Sequence, residues 1–303
     1  MQLSLKDRYA GSLAGLASGD AVGTTVEFRS RGTFPLVTDM VGGGPFGLAP
    51  GQWTDDTSMA LCLAESLLAK NGFDARDQMG RYLNWWTSGY LSSTGERFDI
   101  GLTVRGALER FQRTGEPYSG STDPHSAGNG SLMRLAPVAL FFFPQVGQVV
   151  RFSAESSRTT HGAPEAVECC KLLSYILTRC LAGLSKHEVL NATGLALQEP
   201  NVAKLAAAVY IEKTQNMICG TGYAVASLEA ALWCFSSTSS FESAVLAAAN
   251  LGDDADTTAA IVGQVAGAFY GLKGIPKHWL RRLHLGDEIL STAEALYAAA
   301  VPR

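Results

Sequence analysis

Two stretches gather side chains that could do chemistry. Trp53-Thr54-Asp55-Asp56-Thr57 sets two carboxylates and two hydroxyls at the start of an otherwise apolar helical run. Far downstream, Gly252-Asp253-Asp254-Ala255-Asp256-Thr257-Thr258 repeats the arrangement before a run of small apolar residues. Donor sets made only of oxygen suit hard cations such as Mg²⁺, Mn²⁺ and Ca²⁺. Adjacent Asp55 and Asp56 point in different directions and can serve two ions, with Thr54 adding a neutral oxygen. Asp254 and Asp256, one small residue apart, can both turn inward where the chain is extended or turning, with Thr257 then opening a helix. Helix capping competes with this reading, because Asp, Ser and Thr are favoured N-caps and acidic first turns suit the helix dipole. A cap needs one oxygen, whereas each stretch offers several, so together they favour one shared metal site.

The elements that must position these groups are mostly helical. A helix is predicted over Asp7–Ser18, with Gly11, Gly15, Gly19 and Gly23 recurring every four residues. The same spacing returns at Ala259, Gly263, Gly267 and Gly271, and the two helices are expected to pack together along these small residues. The helix after Asp56 should end at Asn71-Gly72. Another should span Gln78–Thr87 with Trp85 and Trp86 in the core, and Phe98-Asp99-Ile100-Gly101 should lead into one running through Phe111. Asp99 is there either a cap or a site acid. Helical periodicity continues over Ala163–Leu181, Ala224–Phe235, Phe241–Ala249 and the last third, ending near Ala299. Ser185-Lys186-His187-Glu188 and Ser239-Ser240-Phe241-Glu242 read as capping boxes. Strand-like alternation is scarce, so an all-α single domain over residues 1–303 is expected.

The connecting segments carry further candidates. In the irregular stretch Thr24–Gln52, Glu27 lies between Val26 and Phe28 and is either held near the site or an exposed loop acid. The run Gly42-Gly43-Gly44-Pro45-Phe46-Gly47 could bring backbone N–H groups against a phosphate. Ala127-Gly128-Asn129-Gly130-Ser131-Leu132-Met133-Arg134, ahead of the apolar run Leu135–Phe143, is either a phosphate or sugar cradle at a helix N-terminus or a plain turn. His161 stands alone between two helical patterns, the usual setting of a structural histidine. Tyr223, after Gly220-Thr221-Gly222, either stacks on a base or packs. Rims are expected from Thr24–Gln52 and Thr87–Phe98.

Composition narrows the classes. A net charge of −4 gives no footprint for nucleic acid or an anionic membrane surface. Met1–Arg8 lacks the apolar stretch of a signal peptide, which predicts a cytoplasmic protein. Cys62, Cys169, Cys170, Cys180, Cys219 and Cys234 form no CxxC pair and read as reduced, mostly core thiols rather than a zinc site. With 47% hydrophobic residues in 303, a sizeable core is available.

Taken as a set and in order, Gly19–Gly23, Val26-Glu27-Phe28, Trp53–Thr57, Gly128–Arg134 and Gly252–Thr257 resemble the ADP-ribosylglycohydrolase family over about Asp7–Ala299. The resemblance implies an all-α fold holding two Mg²⁺ or Mn²⁺ ions and cleaving ADP-ribose from a modified side chain or related conjugate. It implies Thr54, Asp55, Asp56, Asp254, Asp256 and Thr257 as metal ligands, and Gly128, Asn129, Gly130 and Ser131 as the diphosphate and ribose contact. It makes His161 a ribose contact, Tyr223 the adenine platform, Glu27 a mobile acid and Asp99 an acid near the scissile bond. Catalysis is then expected from Glu27 or Asp99 in acid/base roles, with Asp55 and Asp256 among the groups that place the metals. Asp253 departs from the Gly-Gly-Asp run of many members and puts an extra carboxylate beside the site. Two rival readings are an ADP-ribose reader without catalysis and a metal-dependent phosphohydrolase of the diphosphate.

Overall fold

The computed structural model describes residues 3–300, so Met1 and Gln2 of the Met1–Arg8 stretch lie outside the described residues. It is all-α: α1 (Leu5–Gly23), α2 (Asp55–Lys70), α3 (Ala75–Ser88), α4 (Leu102–Thr114), α5 (Ala136–Phe142), α6 (Val146–Thr160) and α7 (Pro164–Leu181) are followed by α8 (Lys186–Leu190), α9 (Pro200–Ala206), α10 (Ala224–Ser237), α11 (Phe241–Ala249), α12 (Ala255–Tyr270), α13 (Lys277–Arg282) and α14 (Gly286–Ala300). The described residues contain only isolated β-bridges, such as Ser30 with Gly252. Among the described residues no helix is long and apolar enough to cross a membrane.

The centre is the antiparallel pair α1 and α12. A Cβ added at Gly11, Gly15, Gly19 or Gly23 would lie 2.3, 2.3, 2.1 or 2.4 Å from the carbonyl oxygen of Gly267, Gly263, Ala259 or Ala255. Carbon contacts are optimal near ~3.5–4.0 Å, so only residues without a Cβ permit this approach. The expected pairing is therefore present, with its register extended to Ala255. Gly271, which caps α12 with φ 74°, also meets the stripe, its carbonyl carbon 2.6 Å from a Cβ added at Gly11. Both helices are buried on nearly every side, α1 from Arg8 to Gly23 and α12 from Ala255 to Ala268. A helix apolar all round belongs in an interior, and α11, α14, α2, α5, α7 and α10 supply the surrounding layer. Arg8 closes the far end of the seam by donating to the carbonyls of Ala268 and Phe269, both at 3.0 Å. Since the pair is antiparallel, the C-terminus of α1 meets the N-terminus of α12, and the site is built there.

Several local expectations are refined. α12 opens at Ala255, two residues before Thr257. Asp99 is not a cap, because Gly101 holds the N-cap position of α4. The box before α11 forms one residue later than expected, between Ser240 and Ser243, while that of Ser185 and Glu188 forms as read. Trp85 is buried, but Trp86 is only half-buried, with the Arg97 guanidinium 5.7 Å from its ring centre. The Gly42–Gly47 run closes on itself, with the Gly47 N–H donating to Gly44 O at 3.3 Å. Gly43 and Leu48 exchange both backbone hydrogen bonds, and the run packs against Thr24 and Leu48. All six cysteines are free, and only Cys219 is exposed.

Candidate active site

Asp20 organises one half of the site. Fully buried on the last turn of α1, it accepts from the N–H and hydroxyl of Thr54, both at 2.9 Å, and from those of Thr57 at 3.0 and 2.6 Å. A carboxylate from another helix thus caps the N-terminus of α2, taking the task a residue of α2 would otherwise do. Asp55 and Asp56 are released from capping and reach the centre. Thr54 Oγ1 lies 3.2 Å from Asp56 Oδ2 and 3.4 Å from Asp256 Oδ2, which joins the starts of α2 and α12. Thr257 Oγ1 is 3.5 Å from the same Asp56 oxygen.

The acids outside the helices are held by unusual backbone. Phe28 and Asp253 both have positive φ, 59° and 55°. The Phe28 N–H donates to Asp253 O at 2.7 Å and the Asp253 N–H to Arg29 O at 2.8 Å. This latch ties the Glu27 turn to the loop that carries Asp254 and leads into α12, where Asp256 lies in the first turn. Asp99 also has positive φ, 57°, a conformation that Asp tolerates better than most side chains. Carboxylate oxygens of Glu27, Asp99 and Asp256 fall within 4.8 Å of one another.

These groups crowd without compensation. Among the described residues no Lys, Arg or His pairs with Asp20, Glu27, Asp55, Asp56, Asp99, Asp254 or Asp256. Burial raises Asp20 to about 6 and Asp99 to about 7. Burial, with the charges of Asp99, Asp254 and Asp20, raises Glu27 to about 9. Burial first and neighbouring carboxylates second hold Asp55, Asp56 and Asp256 well above the usual range. Asp254 is raised too, against the lowering effect of its hydrogen bond from Asn129. Asp56 Oδ1 and Asp256 Oδ1 are buried with no hydrogen-bond partner. Orphaned carboxyl oxygens in an all-oxygen cluster are what divalent cations would satisfy, so the residues present fit such ions.

Above the acids opens a cavity of about 780 Å³, lined among others by Glu27, Asp55, Asp99, Asp254, Asp256, Thr257, Gly128, Asn129, Gly130 and His161. This is the size of a small-molecule site. Its second wall is neutral. A Cβ on Gly130 would lie 2.9 Å from the His161 ring and one on Gly128 3.3 Å, so both glycines leave room for the imidazole. The Gly128 loop is stitched to the Gly222 turn by Asn129 N to Gly222 O at 3.0 Å and Ala224 N to Ala127 O at 2.9 Å.

Some expected site residues are not brought together with the rest. Ser131 is buried away from the cavity, its Oγ 2.9 Å from Ser157 Oγ and 3.3 Å from Cys170 Sγ. Tyr223 stands beside the cavity, half-exposed, its hydroxyl donating to Glu165. Thr54 and Asp56 lie beneath the floor rather than in it. Asn129 lines the cavity, but its amide donates to Asp254 Oδ2 at 2.7 Å and to Ser227 Oγ at 3.1 Å, so it orients an acid. The second rim comes from Asp99–Val104 rather than Thr87–Phe98, whose Ser93 packs on Trp53. Exposed Phe28 and Leu102 form an apolar edge that had no role in the sequence reading. Asp20 had none either, although it lies in the Gly19–Gly23 motif and is a charge inside a glycine stripe.

Comparisons with known proteins agree with this architecture. A sequence model described as ADP-ribosylglycohydrolase matches residues 1–303. The chain is 45% identical over 294 residues to the ADP-ribosylarginine hydrolase Tri1 of Pseudomonas putida, covering 97% of this chain and 79% of that protein. It is 32% identical over 309 residues to the ADP-ribosyl-(dinitrogen reductase) glycohydrolase of Rhodospirillum rubrum, covering 98% of each. A solved structure titled as an ADP-ribosylglycohydrolase-related protein complex superposes with a TM-score of 0.86 at 44% identity, over 98% of this chain and 99% of that one. With a family match along its whole length and the acidic helix starts of α2 and α12 sharing one cavity, this chain belongs to the ADP-ribosylglycohydrolases, a family of glycosidic-bond hydrolases.

Proposed function

We propose that the protein is a divalent-metal-dependent hydrolase that releases ADP-ribose from an N- or O-linked conjugate, with arginine-linked ADP-ribose as its first candidate substrate. The convergence of orphaned carboxylate oxygens beneath a cavity of about 780 Å³ carries the reading. The relatives named as ADP-ribosylarginine hydrolases, at 45% and 43% identity, favour the arginine linkage. Thr54, Asp55, Asp56, Asp254, Asp256 and Thr257 would hold two Mg²⁺ or Mn²⁺ ions. When bound, such ions supply Lewis-acid polarisation and orientation of the ribose and of water.

The chain's own groups do the rest. Glu27 and Asp99, raised to about 9 and about 7, keep protons near neutral pH that ordinary carboxyls have lost, and such a carboxyl can give a proton and take one back. As the bond at the anomeric carbon breaks, its electron pair leaves with the nitrogen or oxygen, which takes a proton from one of these carboxyls. A water oxygen bonds to the anomeric carbon, and its proton returns to a carboxylate. Positive charge developing on the sugar is stabilised by the surrounding carboxylates. The neutral wall of Gly128, Gly130 and His161 holds the uncharged hydroxyls, and Asn129 keeps Asp254 aimed at the floor.

The test is a mass-spectrometric time course on ADP-ribosylarginine with Mg²⁺ or with EDTA. Metal-dependent release of ADP-ribose is expected, and Asp55→Asn or Asp256→Asn should lower the rate by about 10³-fold or more while circular dichroism stays unchanged. AMP as product would mean diphosphate cleavage instead. Tight ADP-ribose binding with no product from arginine-, serine- or acetyl-linked substrates would mean a reader.

A further inference from the structure

Behind the neutral wall runs a short polar chain that the proposed chemistry does not use. Arg134 is fully buried and, among the described residues, makes no ion pair. Its guanidinium sits 4.5 Å from the centre of the Tyr82 ring, with Nη1 3.8 Å from Met59 Sδ. Its Nη2 donates to Thr160 Oγ1 at 2.6 Å. Thr160 Oγ1 in turn lies 2.9 Å from His161 Nδ1. Both Thr160 and His161 are buried, and the edge of the imidazole bearing Nε2 faces Gly128 and Gly130 at the cavity wall.

The donor inventory fixes the direction of this chain. A guanidinium has five N–H donors and no acceptor, so Thr160 Oγ1 must accept from it. The hydroxyl has one proton of its own, and the neighbour 2.9 Å away is Nδ1. The hydroxyl oxygen has a second lone pair, but among the described residues Nδ1 is the one neighbour that can take its buried proton, and placing it there makes Nδ1 an acceptor and leaves the single imidazole proton on Nε2. We infer that Arg134 and Thr160 are positioning residues that lock His161 as the neutral Nε2–H tautomer, so that it presents a fixed donor to an oxygen of the bound sugar or diphosphate. Burial and the Arg134 charge agree, lowering His161 to about 3. A neutral donor on this wall leaves the carboxylates opposite free of an imidazolium that would compete with cations. The assignment of the recipient atom rests on the proposed ADP-ribose site, whereas the tautomer does not.

The experiment uses the full chain with ¹⁵N-labelled histidine and long-range ¹H–¹⁵N correlation spectra, the His161 resonances being assigned by their loss in His161→Gln. Wild type should show a protonated Nε2 and an unprotonated Nδ1. Thr160→Ser, which keeps the hydroxyl, should show the same. Thr160→Val is nearly isosteric and should give a mixture of tautomers. It should also weaken binding of free ADP-ribose by about tenfold, the loss of roughly one hydrogen bond, with a smaller change in kcat. A wild-type His161 protonated at Nδ1, or a folded Thr160→Val with the wild-type spectrum and affinity, overturns the inference. The wild-type spectrum decides the tautomer even where a variant fails to fold. The two readings fail separately: a catalytically inert protein with the Nε2–H signature loses the proposed activity alone.

Discussion

The same two helices build two opposite environments. Along the seam, α1 and α12 approach so closely that backbone touches backbone, as at Gly15 and Gly263, and the Ser12 hydroxyl donates across it to Gln264 O at 3.1 Å. At the end of that seam, Asp20 of α1 and Asp256 of α12 enter a cluster of seven carboxyls with which, among the described residues, no cationic side chain pairs. The seam gains stability from packing and excludes water. The acidic end forfeits stability, because buried carboxylates must either keep their protons or repel one another. The contrast teaches that the rigid pair lets the crowded end exist. A looser scaffold would relax until the acids separated or reached solvent.

Breaking the seam should have the largest effect. A Cβ at Gly15 already meets Gly263 O at 2.3 Å and the Phe241 ring at 3.0 Å. Gly15→Leu should cost more than about 3 kcal/mol and abolish cooperative thermal unfolding followed by circular dichroism. A wild-type melting temperature would refute the close approach.

The acidic end can be probed without mutation. Asp20, Asp99 and Glu27 have folded-state values of about 6, about 7 and about 9, all above their unfolded values. The native protein therefore holds protons that the unfolded chain has lost, and the stability they confer disappears as pH rises through the folded values. Protein stripped with EDTA should melt several degrees lower at about pH 8 than at about pH 5, and Mg²⁺ or Mn²⁺ should raise the melting temperature most at the higher pH. A flat profile in EDTA would mean that the cluster is not the uncompensated store of charge described above.

The smallest effect sharpens the contrast from the seam side. Ala259 meets Gly19 at the closest of the four α1 contacts. Ala259→Gly keeps the approach and should cost only about 1 kcal/mol of helix propensity, with kcat unchanged. A larger loss would show that the Ala259 methyl, and not the backbone contact, carries the packing there.

Different parts of this arrangement were legible for different reasons. The glycine spacing could be read because a four-residue period on a helix defines one face, whatever that face meets. The paired acids could be read because several adjacent oxygens exceed what capping needs. Ser131 and Asp20 show where such reading stops. Ser131 sits in the same loop as Gly128 and Gly130, yet its side chain turns toward Ser157 and Cys170. Asp20 lies in the Gly19–Gly23 motif but was given no role, and its task is visible only where the N-terminus of α2 docks onto it. In both cases the direction of one side chain is decided by a neighbour remote in the chain. Arg134 belongs with them, since its direction depends on Thr160 at the end of α6.

By itself the sequence determined that the protein is all-α, that its first long helix pairs with the one after Asp256, and that Thr54–Asp56 and Asp254–Thr257 form one acidic pair. These follow from periodicity and side-chain chemistry, which are local properties. Tertiary structure alone decided that Asp20 caps α2, that Asn129 serves Asp254, and that the Nε2 edge of His161 lies against Gly128 and Gly130. Each of those depends on which donor meets which acceptor across elements, and that is settled only when the antiparallel seam fixes where the helix ends lie.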